Sequence, residues 1–297
     1  MNRRSFLHQT AATAAAALAA GPALHAAPAA EAKASGIIDC NISIGHWPFR
    51  YYRGQESSEI LTQCRLLREK GLTRGWAGSI EGIFYRDVTQ ANDILHERCT
   101  EYGREHGGAR LLLPAFTINP TLPSWENDFS QCVSVALTTE RVIRLHPNYH
   151  GYTLDDPLFL KLLEAATEAG FLVQVVVQME DERTQHPLMQ VKPVNLKPLP
   201  AILKKVPNAR VMVLNANRAM SMTALQDCPV WLDFAMLEGV AGIEALLKDW
   251  PLEKLVFGSH APLFYWESAK LKLQESELSE KQLAAITHDN AARCLQS

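Results

Sequence analysis

The chain has 297 residues, 47% of them hydrophobic and 21% charged, a globular balance that excludes a disordered or fibrous protein. A net charge of −3 leaves no electrostatic footprint for nucleic acid or an anionic membrane surface. Six cysteines are scattered without a CxxC or any metal-finger spacing, so most read as packed thiols in one large core that needs no staples.

Residues 1–30 read as a targeting segment, and residues 31–297 as the folded domain. Arg3-Arg4-Ser5-Phe6-Leu7 is a twin-arginine start, followed by an alanine-rich run and small residues from Ala26 to Ala30. The expectation is export by the twin-arginine route, with cleavage between Ala26 and Ala30 and a soluble periplasmic product. No later stretch is apolar for long enough to span a bilayer.

In chain order, Gly36–Gly45 reads as a first strand, whose period of two puts Asn41 and Ser43 on one side. Ser57–Lys70 is an amphipathic helix with Ser57 or Ser58 as its cap. Strand Leu72–Ser79 and helix Thr89–Glu105 follow, then strand Arg110–Ile118 and a weaker helix over Ser124–Val135. Strand Arg141–Leu145 empties into His146-Pro147-Asn148-Tyr149-His150, where Pro147 and Asn148 argue against a helix. Asp156-Pro157 opens helix Leu158–Ala169, and strand Phe171–Val177 leads into a long loop, Gln178–Val194. Helix Leu199–Lys205, strand Ala209–Leu214, helix Asn217–Gln226, strand Val230–Ala235 and helix Gly242–Asp249 complete the alternation. Lys254–Gly258 is an eighth strand, with helices Tyr265–Ser276 and Glu280–Leu295 after it.

Eight strands alternating with helices over about 260 residues predict an α/β fold, a single (β/α)8 TIM barrel. A doubly wound open sheet is the alternative, but no GxGxxG follows the first strand. In a barrel the chemistry sits at the C-terminal ends of the strands. Those positions carry Asn41 and Ser43, Ser79 and Glu81, Asn119, Arg144 and His146, Gln178 and Glu180, Asn215 and Asn217, Asp233, and His260. His46, His150, Asp181, Arg183 and His186 lie on the adjoining loops. No GxSxG elbow is present. Ser259 is a nucleophile only if it faces the pocket, and alternation favours His260 for that side.

The order of elements, Leu255-Val256-Phe257-Gly258-Ser259-His260-Ala261-Pro262 at the eighth strand, Arg144-Leu145-His146-Pro147 at the fourth and the final Asn290-Ala291-Ala292-Arg293 resemble the amidohydrolase-related barrel family. That resemblance implies a metal-dependent-hydrolase-like barrel and a hydrolase or non-oxidative decarboxylase. The departures are at the expected metal ligands. Where the family carries Asp-x-His-x-His, this chain has Asp39, Asn41 and Ser43. The histidines expected at strands five and six correspond to Gln178 and Asn215, and the aspartate of strand eight to His260. Neutral amides and a hydroxyl are poor zinc donors.

Three readings follow. In the first, an enzyme without the usual metal acts on a small carboxylate or carbonyl compound. Arg144 and Arg183 clamp the substrate, His260, His146 or His186 supplies acid–base chemistry, and Asn41, Ser43, His46, His150, Gln178, Asp181 and Asn215 line the site. In the second, a relocated divalent metal such as zinc is held by some three of His146, His150, His186 and His260. In the third, the barrel binds a small molecule without catalysis. The partner in every case is a small molecule, not nucleic acid. The aromatic loop Trp47–Tyr52 is either a lid or a contact between copies in a homo-oligomer.

Overall fold

A computed structural model describes residues 36–52, 60–105, 110–136 and 140–295. The targeting segment, the small-residue region and the proposed caps Ser57 and Ser58 lie outside the described residues. Seven strands form one parallel sheet in chain order: β1 (Ile37–Ile44), β2 (Leu72–Ser79), β3 (Leu112–Thr117), β4 (Val142–Leu145), β5 (Leu172–Val176), β6 (Arg210–Leu214) and β7 (Trp231–Leu232). Every pairing is parallel, as crossover helices require.

The expected eighth strand is not a regular one. Leu252–Lys254 is a turn of 3-10 helix, and Leu255 and Ala261 make isolated parallel bridges to Leu232 and Ile42. Leu255–Ala261 thus lies between the two edge strands, with Val256 N–H donating to Leu232 O (2.9 Å) and Cys40 N–H to Phe257 O (2.9 Å). The physical reason for the broken ladder is local. His260 has a left-handed backbone (φ 58°), which no strand accommodates, and Pro262 has no N–H to donate.

Alternation sorts the strand side chains onto two faces. Ile143, Leu145, Val173, Val175, Val211 and Val213 pack against helix residues such as Phe159, Leu162 and Leu163. The opposite face gathers Val142, Leu172, Val176, Met212 and Leu214. On β4 this puts Arg144 and His146 on the same side as Val142, and on β5 Gln174 and Gln178 on the side of Leu172. β1 changes parity. Ile38 and Cys40 belong to the inner cluster but Ile42 and Ile44 to the helix side, because the register shifts between Asp39 and Ile42. This bulge turns Asn41 and Ser43 inward beside Cys40.

The helices are α1 (Ile60–Glu69), α2 (Glu81–Phe84), α3 (Val88–Glu105), α4 (Trp125–Val135), α5 (Pro147–His150), α6 (Pro157–Glu168), α7 (Leu199–Lys205), α8 (Arg218–Leu225), α9 (Gly242–Leu246), α10 (Trp266–Gln274), α11 (Glu280–Ala284) and α12 (Asn290–Arg293). Asp156 caps α6 by accepting from Leu158 N–H (2.8 Å), with Pro157 in the first turn. α5 corrects the reading of the His146–His150 segment. Pro147 occupies the first helical position, where its missing N–H costs nothing, and Gly151 closes the turn at φ 74°. The C-terminal helix is interrupted by a π-turn over Ala285–Asp289, where Ile286 O accepts from Phe257 N–H. Among the described residues, no helix is long and apolar enough to cross a membrane.

Candidate functional site

Arg144 reaches across the inside of the sheet. Nε donates to Gln174 Oε1 (2.8 Å), Nη1 to Ile42 O (2.6 Å), and Nη2 to Cys40 O (3.1 Å) and Trp76 O (3.0 Å). The β1 bulge frees some of these carbonyls from the ladder, and a buried carbonyl must find a donor. Gly78 makes the room: a Cβ there would lie 2.6 Å from Arg144 Nη1. Burial lowers the guanidinium pKa to about 10. The expectation that Arg144 clamps a substrate is corrected, because its donors are taken up by the Gln174 side chain and three backbone carbonyls.

Nearer the strand ends lies a closed polar network. Asn41 Nδ2 donates to Asn215 Oδ1 (2.7 Å) and Asp233 Oδ2 (2.6 Å), and Asn215 N–H donates to Asp233 Oδ1 (2.9 Å). Asn215 Nδ2 donates to Gln178 O (2.8 Å) and lies 3.2 Å from His260 Nδ1. His260 Nε2 is 2.7 Å from Met179 O. A carbonyl only accepts, so Nε2 carries the proton and Nδ1 is the acceptor for Asn215. Burial pushes the His260 pKa down to about 4 and that of Asp233 up to about 6, the latter against hydrogen bonds from Asn215 and Asn41. Both ring nitrogens of His260 are therefore engaged, which corrects its expected role as a general base. Asp39 fastens the same corner. Its Oδ1 accepts from the N–H groups of Asn41 and Ser259 (3.0 Å each) and its Oδ2 from Trp266 Nε1 (3.0 Å). Ser259 is buried, its Oγ accepting from Ala261 N–H, so it is not presented as a nucleophile.

The loop groups go elsewhere. Arg183 is 81% exposed and forks onto Asp181 (Nε–Oδ1 2.9 Å, Nη2–Oδ2 2.6 Å), which removes both from the inner face. That pairing holds the Asp181 carboxyl near 2. Asp181 instead borders a surface cleft of about 440 Å³ with Met236, Glu238, Phe264 and Lys272. His186 stacks on Phe49 (5.2 Å between centroids) and accepts from Leu188 N–H, and His46 is exposed. Among the described residues no three His, Cys, Asp or Glu side chains come together as a metal site, so the set His146, His150, His186 and His260 is not assembled. Nor do the residues at the family's ligand positions fit a divalent metal. The Asn215 oxygen already accepts from Asn41, and both His260 nitrogens are bonded.

His146 differs from all of these. It is 2% exposed, and neither ring nitrogen has a partner. Its ring lies 6.1 Å from that of His150, whose Nε2 bonds to Gly82 O (3.1 Å) while its buried Nδ1 is unpartnered. Burial pushes the His146 pKa well below 6.5 and that of His150 down to about 4, so both are neutral near pH 7. Trp47, Phe84 and Tyr149 form an aromatic cluster with one another, their ring centroids 5.5–6.2 Å apart, Tyr149 being the residue before His150. The aromatic loop folds over the β5 loop, Arg50 pairing with the buried Glu180 (3.1 Å), which also receives Tyr52 OH (3.3 Å). Sequence reasoning passed over Thr117 and Gly82. Neither residue type signals chemistry, and their contact across β3 and α2 exists only in the fold.

A parallel α/β sheet with its polar groups gathered at the strand ends defines an enzyme-type scaffold of the TIM-barrel class. The amidohydrolase family model matches residues 134–296, and the chain belongs to that family. No curated protein matched the sequence. Three solved structures are similar in fold. 4-Oxalomesaconate hydratase from Rhodopseudomonas palustris is 16% identical with a TM-score of 0.61, covering 88% of this chain and 95% of its own. 5-Carboxyvanillate decarboxylase from Novosphingobium aromaticivorans, solved with manganese and 3-methoxy-4-hydroxy-5-nitrobenzoic acid, is 11% identical (TM-score 0.63; 88% and 97% covered). 2,6-Dihydroxybenzoate decarboxylase from Rhizobium is 10% identical (TM-score 0.65; 88% and 98% covered).

Proposed function

We propose that this chain is an exported, closed (β/α)8 enzyme of the amidohydrolase family, a hydrolase or lyase acting on a small carboxylate or carbonyl compound without the divalent metal. The observation that carries this reading is the contrast between saturated and unsaturated histidines. The ligand positions are tied up in the Asn41–Asn215–Asp233–His260 network, while buried, neutral His146 keeps both nitrogens unbonded. A neutral imidazole has a lone pair to take a proton from water or substrate and an N–H to return it. His150 stands beside it, with 6.1 Å between the ring centroids. The substrates in the neighbours' names, small carboxylates, support the class. The twin-arginine start supports export.

A second reading has its own support. His260 bonded through both nitrogens and Arg144 spent on carbonyls suit a barrel that binds a small molecule without turning it over. The experiment is to purify the chain without affinity-tag nickel, measure its metal content, and assay small carboxylates, lactones and keto acids for acid or carbon dioxide release. The expected result is turnover at substoichiometric metal that His146→Asn abolishes. Stoichiometric zinc or manganese required for turnover would overturn the metal-free reading, and binding without turnover would favour the second.

A further inference from the structure

Trp47–Tyr52, the loop after β1, is anchored at one end and latched at the other. At its root Gly45 holds φ 119°, and a Cβ there would overlap Glu81 Oε2, so the carboxylate packs directly on the backbone. Glu81 Oε1 accepts from Arg98 Nη1 (2.9 Å) and from His46 N–H (3.4 Å), which fixes where the loop begins. Trp47 is 1% exposed, its ring 5.5 Å from that of Phe84 on α2 and 6.2 Å from that of Tyr149 on α5. The loop then reaches the segment after β5. There Phe49 stacks on His186 (5.2 Å), and Arg50 Nη2 pairs with Glu180 Oε1 (3.1 Å). Tyr52 OH donates to the same oxygen (3.3 Å), and the Arg50 guanidinium lies 4.8 Å over the Tyr52 ring. Because β2, β3 and β4 stand between β1 and β5 and all run parallel, these contacts make the loop a strap across the C-terminal strand ends.

What the strap spans is closed to solvent. His146 leaves the end of β4 and is 2% exposed. Glu180 directly follows Met179, whose carbonyl receives His260 Nε2 (2.7 Å), so the latch and the His260 anchor are neighbouring residues. A solute meets His146 only when a covering segment moves. The two halves of the strap differ in how they are held. Trp47 is fixed by apolar burial, which salt does not screen. The tip is fixed by an ion pair whose arginine side chain is 43% exposed, where water and dissolved ions compete for the carboxylate. Segments with such half-solvated polar contacts open before the sheet beneath them does.

We infer that Trp47–Tyr52 is a gate over the His146 strand end, rooted at Glu81 and shut by the latch of Arg50 and Tyr52 on Glu180. This deepens the reading above as control of access to the same site, and rests on it only for what passes the gate. The test treats the full chain with diethyl pyrocarbonate and reads the labelling rate of each histidine by mass spectrometry, beside amide hydrogen exchange. In the parent, exposed His46 is expected to react faster than His146. Arg50→Ala should raise the His146 rate about tenfold, the scale of one charge-assisted hydrogen bond. Glu180→Gln, isosteric but uncharged, should raise it about threefold. In both variants His288, on the C-terminal segment, should label as in the parent and the β5 amides should stay protected. A His146 rate unchanged in either variant would overturn the inference, as would a rise accompanied by exchange throughout β5, which marks a loosened fold. Faster labelling of His146 with no turnover of any carboxylate would leave the gate standing and remove the enzyme reading. Turnover that requires His146, with labelling indifferent to the latch, would do the reverse.

Discussion

Asn215 and His260 meet with 3.2 Å between the Asn215 amide nitrogen and the His260 Nδ1, and both residues hold left-handed backbones, at φ 61° and 58°. Each such residue costs about 1–2 kcal/mol, less for asparagine, so the surrounding bonds must over-determine the arrangement. They do: Asp233, Asn41, Gln178 O and Met179 O hold the pair from four sides. Donation runs outward from the Asn41 amide, directly to Asp233 on one side and through Asn215 and His260 to Met179 O on the other.

Asn215→Ala removes the donor to His260 and the acceptor for Asn41 together, and strands buried polar groups on both. The expected cost is about 2–4 kcal/mol, a fall in melting temperature of roughly 5–15 °C for a domain of this size. Asn215→Asp keeps an acceptor but sets a second carboxyl near Asp233, so its penalty should be larger at pH 7 than at pH 5. Urea melts at the two pH values decide this, and equal penalties would show that the amide acts by shape alone.

Gly78→Ala tests the Arg144 plug. The new Cβ would stand 2.6 Å from Nη1 and 2.7 Å from Cδ of a side chain fixed at both ends. A loss of about 1–3 kcal/mol is expected from overpacking. A variant as stable as the parent would mean that the guanidinium can move, and would reopen a role for it in binding.

Arg183→Ala should leave thermal stability and ligand binding unchanged. The side chain forks onto its own loop neighbour Asp181 and projects into solvent, where such pairs are screened. A loss of turnover or affinity in this variant would show that the β5 loop swings inward with substrate.

Acidification should destabilise the fold between about pH 6.5 and pH 4. His150 and His260 have folded pKa values near 4 and His146 lies well below 6.5, so all three stay neutral in the fold. The unfolded chain protonates them below about pH 6.5, so their contribution is complete above that pH and is lost on descent. At pH 5 the losses at His150 and His260, whose folded values lie near 4, are on the order of 2 kcal/mol each. Asp233, raised to about 6, and Asp39, raised by burial, act in the opposite sense. Chemical unfolding at pH 7.5 and pH 5 measures the difference. Greater stability at pH 5 would mean that the carboxyls dominate.

Much of the scaffold was legible without coordinates. The alternation of β-branched runs with amphipathic helices predicted eight parallel strands, seven of which form in that order while Lys254–Gly258 makes only isolated bridges, because period and burial are local consequences of side-chain type. The same period placed His146 and Arg144 on one face. It could not say that Arg144 is a plug, since its acceptors are carbonyls freed by a bulge in β1, and a bulge leaves no mark in composition. Arg183 looked equally able to reach inward, and a carboxylate two residues away captured it.

The sequence by itself carried the resemblance in which Asn41, Ser43, Gln178, Asn215 and His260 stand at the family's ligand positions, residue types that are mostly poor zinc donors. Only the tertiary structure decided what those residues bond to. Whether a buried imidazole is saturated, as in His260, or left with bare nitrogens, as in His146, depends on partners 45 to 81 residues distant in the chain or on their absence. Hydrogen bonding is short-ranged in space and indifferent to sequence separation, so a histidine with bare nitrogens is identified by its surroundings in the fold, not by its neighbours in the chain.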